Sequence, residues 1–341
     1  MKTIGLINIW FGKLPESFPL WIKSAKLNPT IDFYIVTDQD DKWHVDNVTF
    51  IKSSLAEVKE TFEKELNMHI KLKHPYKLCD FKPVWRFALG ERIKKYDFWG
   101  VCDLDVIWGD IRAFITDKVL EGYDKIFDAG IFQLYRNCDE MNNLYKRSTE
   151  RDSMCYSYRK AFKNNYACYF DEYMGMSILA WLHMNDRVLR DQKTETVLQD
   201  FDWKSLEFKS YISKKSFIFK WDNGKLYKYF VDSKGIIDES AEPQEYGLVH
   251  IQKRSMNLTF DVSDLGNITT YWIYPNTYSL DRPSGELYSE EEKVQYAQKI
   301  AKSDKDKRIA NLKRNGALDY ISHYLTKKRV LNFIRTVKKF Y

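Results

Sequence analysis

The feature that most constrains this chain is a strand that runs directly into paired carboxylates. The stretch Tyr96-Asp97-Phe98-Trp99-Gly100-Val101-Cys102-Asp103-Leu104-Asp105-Val106-Ile107-Trp108-Gly109-Asp110 reads as a buried strand, Phe98 to Cys102, with Asp-Leu-Asp behind it and a second apolar run beyond. Alternation along an extended backbone sends Asp103 and Asp105 to the same side. Two carboxylates placed there repel each other unless a cation lies between them. In an open α/β sheet the carboxyl end of a strand is also where ligands bind. A hard divalent cation, Mg²⁺ or Mn²⁺, held by these carboxylates and by the phosphates of a substrate, accounts for the pattern. An isolated Asp-x-Asp is more often a solvated turn or a pair of helix caps; the strand in front of it favours the metal.

The segments on either side predict a parallel sheet. Thr3 to Trp10 has the apolar, β-branched character of a buried first strand, broken by Phe11-Gly12-Lys13-Leu14-Pro15. A helix is expected over Phe18 to Ala25, stopped by Asn28-Pro29. Strands are expected over Ile31 to Val36, ending in Thr37-Asp38, and over Asn47 to Ile51. This order implies a right-handed βαβ unit. Further helices are expected over Leu55 to Leu66, Val84 to Lys95 and Ile111 to Leu120, with a strand at Lys125 to Phe127 and another after Asp128-Ala129-Gly130. Glu140 to Ala167 reads as helical, and Asp171-Glu172 as the opening of a helix reaching Trp181. Lys215 to Ile237 alternates like an antiparallel hairpin turning at Asp222-Asn223-Gly224-Lys225. Tyr246 to Ile251 is a short strand that delivers His250 beside Lys253-Arg254.

Composition excludes several classes. At 341 residues and 44% hydrophobic, the chain can bury a large core and is not disordered. A net charge of +6, from 54 basic and 48 acidic residues, is too mild to call for a nucleic acid partner. Five scattered cysteines, Cys79, Cys102, Cys138, Cys155 and Cys168, form no C-x-x-C pair; they argue against a disulfide framework or zinc site and fit a reducing cytoplasm. The first ten residues are too short for a signal peptide, and no run reaches the length of a membrane span.

From about Ser289 the chain is helical in composition. Apolar residues recur at helical spacing through Leu318-Asp319-Tyr320-Ile321-Ser322-His323-Tyr324-Leu325 and Val330 to Ile334. Lys327, Lys328, Arg329, Arg335, Lys338 and Lys339 stand among them. Such a basic amphipathic helix is either a lipid-surface element or a helix packed on the body with a solvated basic face.

Taken together, Phe11-Gly12-Lys13-Leu14-Pro15, Asn28-Pro29-Thr30-Ile31-Asp32-Phe33, Thr37-Asp38, Tyr76-Lys77-Leu78-Cys79-Asp80-Phe81-Lys82-Pro83, Asp97 to Asp105 and His250-Ile251-Gln252-Lys253-Arg254 resemble the GT-A glycosyltransferases. Within that group the chain is similar to a family encoded in bacterial capsule and exopolysaccharide loci. The resemblance spans roughly residues 4 to 260; Asp80-Phe81-Lys82-Pro83 and Trp99 to Asp105 are its specific blocks. It implies an α/β fold with a mainly parallel mixed sheet. The expected division is a transferase domain over 1–285 (donor half about 1–137, acceptor half about 138–285) and, from composition and outside the resemblance, a helical basic region over 286–341.

The resemblance also implies roles. Asp103, Asp105 and His250 would hold Mn²⁺ or Mg²⁺, with the imidazole favouring Mn²⁺. Lys253 or Arg254 would contact the diphosphate of a UDP-sugar. Phe11, Gly12, Thr37 and Asp38 would meet its base and ribose, although Thr37-Asp38 also suits a helix cap. Lys77, Asp80 and Lys82 resemble positions that touch sugar or phosphate; a Lys-Asp ion pair fixing a loop is the competing reading. Asp128-Ala129-Gly130 resembles a turn that binds donor-sugar hydroxyls, with Asp128 where relatives usually carry Asn. Asp171 or Glu172 would serve as a base toward the acceptor hydroxyl, or complement a helix dipole. The late His leans toward retention and the acidic pair permits inversion. The implied reaction moves a hexose to a lipid-linked oligosaccharide at the cytoplasmic face of the membrane. The competing classes are a metal-dependent nucleotidyltransferase or phosphatase, and a non-catalytic carbohydrate- or membrane-binding protein.

Overall fold

Strand β1 (Ile4–Trp10) is buried over six of its seven residues, the mark of a central strand covered on both faces. Ile4 and Leu6 point into one apolar cluster, with Phe33 and Ile35; Ile7 and Ile9 point into the other, with Tyr34 and Val36. The computed structural model describes residues 1–341 except 129, 148–154, 191–194, 211–213, 253, 263–264, 338–341 and the side chains of 333–337. After β1 come α1 (Phe18–Lys26), β2 (Ile31–Thr37), β3 (Val48–Lys52), α2 (Leu55–Leu66) and β4 (Phe98–Cys102). Then follow β5 (Val106–Trp108), α3 (Ile111–Phe114), α4 (Asp117–Gly122), β6 (Lys125–Ile126), β7 (Phe132–Arg136), α5 (Asp139–Asn142), α6 (Tyr158–Phe162), α7 (Met176–Met184) and β8 (Val188–Leu189). The remainder is β9 (Leu198–Gln199), β10 (Ser216–Asp222), β11 (Lys225–Val231), β12 (Gln244–Tyr246), β13 (Leu248–His250), β14 (Asn257–Leu258), β15 (Thr270–Tyr274), β16 (Thr277–Ser279), α8 (Glu290–Asn315) and α9 (Ala317–Val337).

The main sheet runs β3-β2-β1-β4-β7-β6-β8. Its first four strands are parallel, β4 pairs antiparallel with β7, and β6 pairs antiparallel with β7 but parallel with β8. The fold is thus the mixed α/β, Rossmann-like architecture expected, with a mainly parallel sheet. Because β1 lies between β2 and β4, their carboxyl ends share one edge, and strand order reverses there; ligands of such sheets bind at that crevice. A six-stranded sheet, β12-β11-β10-β15-β16-β14, contains the expected hairpin. A three-stranded sheet, β5-β13-β9, joins the residues after β4 to the late part of the chain.

Several local expectations change. The helix expected over Val84 to Lys95 is part of a 3-10 run, Pro75–Lys95; Pro83 removes a donor and Gly90, at φ 54°, interrupts it. Ile111 to Leu120 is two short helices, separated where the Thr116 hydroxyl caps the amide of Val119. Among the described residues of 140–167 the helical pieces are short, and Tyr145, Tyr156, Tyr158 and Phe162 are buried in the core. Asp171-Glu172 does not open a helix: α7 begins at Met176, and the two acids lie in a turn in which Tyr169 O accepts from the amides of Glu172 and Met174. The helix-dipole reading of that pair is thereby removed. Tyr246 to Ile251 divides at Gly247 into β12 and β13, which belong to different sheets.

That turn is anchored by a buried ion pair. Lys77 Nζ lies 2.5 Å from Asp80 Oδ2, and both side chains are fully enclosed. The ammonium also donates to Ala161 O and Tyr166 O, while the carboxylate accepts from the amides of Cys168 and Phe170. Lys77 and Asp80 therefore fix the 161–170 loop, the competing reading of these residues. Removing one partner strands the other in the core. Lys77→Met is expected to cost about 3–5 kcal/mol of folding stability, measured by urea denaturation, whereas the exposed pair Lys13–Glu16 should yield under about 1 kcal/mol in the same assay.

Candidate metal centre and its surroundings

Asp103 and Asp105 sit where β4 ends, and their backbone is held at three points. The Asp103 amide donates to Ile131 O (2.9 Å), its carbonyl accepts from Trp21 Nε1 (3.2 Å), and the Asp105 carbonyl accepts from the Ile251 amide (2.7 Å). The last bond extends the β5–β13 ladder, in which Val106 pairs with His250. Register alone thus brings the late histidine beside the early carboxylates. One carboxylate oxygen each from Asp103 and Asp105 and one His250 nitrogen lie within 4.8 Å of one another. His250 Nε2 is 3.4 Å from Asp105 Oδ1.

This donor set fits a divalent ion. Ligands bound at about 2.0–2.2 Å stand about 3–4.4 Å apart around one ion; the Asp105–His250 separation of 3.4 Å falls in that range, and all three donors lie within 4.8 Å. Two carboxylates with an imidazole suit Mn²⁺. The aspartates keep 29% and 38% of their side-chain surface, enough for an ion and a phosphate to arrive. Burial would push the His250 imidazole down, but Asp105 and Asp200 overcome it and hold its pKa well above the ordinary value. Burial raises Asp103 against the pull of Lys82; at Asp105 the push of burial is overcome by His250, and its pKa falls.

Lys82 joins this centre to the second acidic pair. Its Nζ lies 2.7 Å from Asp103 Oδ1, 3.6 Å from Asp171 Oδ2 and 2.5 Å from Gly130 O. Burial opposes its charge, yet Asp103 and Asp171 raise its pKa. Asp171 is buried; Glu172 is partly open. Burial lifts both carboxyls, more strongly at Asp171, despite Lys82. A Cβ at Gly130 would fall 2.4 Å from Glu172 Oε1 and 2.7 Å from Asp171 Oδ2, so both carboxylates would have to shift.

The other expected residues divide. Gly12, at φ +95°, follows β1, and its amide donates to both oxygens of Asp38 (3.0 and 3.2 Å) at the end of β2. Phe11 is partly exposed beside it, while Thr37 is sealed and its hydroxyl caps the Gln39 amide. Asp128 has both oxygens engaged, by Lys125 (3.1 Å) and Arg190 (2.7 Å), so its charge is already answered within the protein. Arg254 does not turn to a phosphate site. Its guanidinium donates to the carbonyls of Asp202, Ser205, Leu206 and Glu207 and lies over Phe201 and Phe208. Lys253 and Ala129 lie outside the described residues.

A second cluster, Cys79, Asp80 and Asp171, also brings three donors within 4.8 Å. Asp80 is committed to Lys77 and two amides, and burial pushes the Cys79 thiol well up, which disfavours the thiolate a metal would need. One neighbour of the metal-type cluster escaped the sequence reading. Asp200 Oδ1 lies 3.1 Å from His250 Nδ1. It sits in Leu198-Gln199-Asp200-Phe201, which carries no motif; only the β9–β13 pairing reveals it.

A family model covers residues 6–281 of this sequence. The chain belongs to the DUF6625 family. That family is described as one of unknown function. No curated protein matches the sequence. Among solved structures, the galactosyltransferase LgtC in complex with donor and acceptor sugar analogs is similar at 14% identity over 57% of this chain and 75% of that one, with a TM-score of 0.31. The glycosyltransferase GlyE of Streptococcus pneumoniae TIGR4 is similar at 14% identity over 56% of this chain and 45% of its own, with a TM-score of 0.28.

Lys82 is the counter-charge shared by this DUF6625 chain's two acidic pairs, and its loss has a pH signature. A carboxyl whose folded pKa stands above its unfolded value favours folding at low pH, and that contribution disappears as pH rises through the folded value. Lys82→Met raises Asp171 and Asp103 further. With no divalent ion added, its destabilisation should be small near pH 4 and grow to about 3–5 kcal/mol at neutral pH, as read by urea denaturation across that range. A loss of equal size at both ends would contradict this account.

Proposed function

We propose that the protein is a metal-dependent glycosyltransferase that moves a hexose from a UDP-sugar to a lipid-linked oligosaccharide in the assembly of a cell-surface glycan such as a capsule. The observation that carries this reading is the convergence of Asp103, Asp105 and His250 at the carboxyl edge of β4, beside the crevice where strand order reverses. A divalent ion held by these three would supply charge neutralisation on the departing nucleoside diphosphate. The protein's own groups supply the rest. The Gly12 loop and Asp38 border the crevice at the ends of β1 and β2, where a nucleoside would lie. Lys82 holds Asp103 in place and carries the remaining local positive charge. Glu172, more open than Asp171, is the carboxylate able to accept a proton from an acceptor hydroxyl; Asp171, sealed behind it, keeps Lys82 in position.

In this reading residues 1–285 form the catalytic unit and 286–341 a helical appendage that meets the cytoplasmic face of the membrane. No helix among the described residues is long and apolar enough to cross a membrane. The outward row of α9, however, is Leu318, Ile321 and Leu325, with Tyr320 and Tyr324 beside it and Lys328 and Arg329 at its end, all exposed. An apolar row edged by basic groups suits an anionic lipid surface. Arg335's side chain, Lys338 and Lys339 lie outside the described residues.

Two experiments test the proposal. In calorimetry with UDP and a panel of UDP-sugars, binding should require Mn²⁺ and fall at least about 100-fold in Asp105→Ala, since the variant removes one of three ligands. No metal-dependent nucleotide binding would end the transferase reading, and release of phosphate without sugar transfer would replace it with a phosphatase. Separately, the triple variant Leu318→Glu, Ile321→Glu, Leu325→Glu should lose co-sedimentation with phosphatidylglycerol vesicles while keeping its melting temperature. Unchanged sedimentation would remove the membrane contact.

A further inference from the structure

The imidazole of His250 is held from behind. The parallel pairing of β9 with β13 sets Leu198 against Leu248 and Gln199 against Val249, so the residue after β9, Asp200, falls beside His250. Asp200 Oδ1 meets Nδ1 at 3.1 Å, whereas Nε2, the other ring nitrogen, faces Asp105. The carboxylate itself is fixed. Its Oδ1 also accepts from the Phe201 amide (2.9 Å), and its carbonyl accepts from Gln199 Nε2 (2.6 Å). Gln199 is wholly buried, and Lys228 Nζ donates to its Oε1 at 3.0 Å. On the other side, Arg254 gathers the carbonyls of residues 202 and 205–207 onto the guanidinium. The short span carrying Asp200 is thus pinned at both ends, one of them by a residue four positions past His250.

From this geometry we propose that Asp200 is a positioning residue for the metal centre: it accepts the Nδ1 proton of His250 and so presents the Nε2 lone pair to the ion. The inference rests on the metal reading of the Asp103–Asp105–His250 cluster. Asp200 is not itself a ligand in this account, because it stands on the ring nitrogen turned away from Asp105. A carboxylate behind a ligating imidazole fixes the ring's tautomer and rotation and raises its basicity, and loss of such a partner typically weakens metal binding 10- to 100-fold.

The test is Mn²⁺ titration of the full chain by calorimetry in a double-mutant cycle. Asp200→Ala should weaken Mn²⁺ binding about 10- to 100-fold. In a His250→Ala background the same change should add no more than about twofold, because the route runs through the imidazole. Asp200→Asn keeps an oxygen for both donors without the charge, and should fall between wild type and Asp200→Ala. If Asp200→Ala does not fold, the Asn variant carries the cycle, with an expected loss of at least about threefold. Wild-type-like affinity in the variants, or an equal loss with and without His250, would overturn the role of Asp200 and leave the metal site standing. Absence of Mn²⁺ binding by the wild-type chain would instead remove the metal site, and this inference with it.

Discussion

One edge of the main sheet gathers more negative charge than it can balance. Among the described residues, Asp103, Asp105, Asp171, Glu172 and Asp200 stand around the Lys82 ammonium and the His250 imidazole. Two like charges 4 Å apart repel by about 4 kcal/mol even at an effective dielectric of 20. Burial raises the carboxyls of Asp103, Asp171 and Glu172 against the pull of Lys82, and the neighbouring acids add to the rise. A site arranged this way is under electrostatic load that a divalent cation would relieve. The load is also why each acid is held by backbone contacts: without them, mutual repulsion would carry the side chains out into solvent.

The scaffold answers that load in two places. On the main-sheet side, the enclosed Lys77–Asp80 pair fastens the amides of Cys168 and Phe170, and the turn between them puts Tyr169 at φ 54°, a conformation few side chains accept. The chain leaves that turn as Asp171-Glu172. On the other side, the three-stranded sheet converts register into geometry: β5, β13 and β9 each end at the metal-type cluster, and their edge delivers Asp105, His250 and Asp200 together. The residues are 145 positions apart in the chain at the extremes, Asp105 and His250, yet only a few ladder bonds separate them.

Much of this was legible in the sequence because it followed from local pattern. β1, β2 and β4 are continuous apolar runs, α2 carries the Ser54–Glu57 capping box, and Asp-x-Asp after a strand has few uses. The failures share a physical cause. Lys77, beside its near partner Asp80, and Arg254 are cations whose carbonyl acceptors lie far away in the chain, and no local signal separates a phosphate-binding cation from one that ties down carbonyls. Asp171-Glu172 looked like a helix start because acids favour that position; the turn that displaces it is imposed by Asp80, some ninety residues earlier. Asp200 was invisible for the same reason, being defined by a two-residue strand pairing that no periodicity announces.

The C-terminal helix shows how one element can serve both surface and site. Its inward row docks on the loops that feed the acidic turn. Asp319 meets Lys71 at 2.9 Å and Asn165 at 2.7 Å, Thr326 accepts from Lys160, and His323 Nδ1 lies 2.9 Å from the Tyr156 hydroxyl. The His323 ring stacks between Tyr156 and Tyr166. Burial, reinforced by Lys327, pushes this histidine down to about 4. Tyr166 leads within five residues to Asp171. On the proposed reading, a helix whose outer face met a lipid surface would be connected through these packed side chains to Asp171 and Glu172, and the distance between membrane and chemistry would be set by that packing.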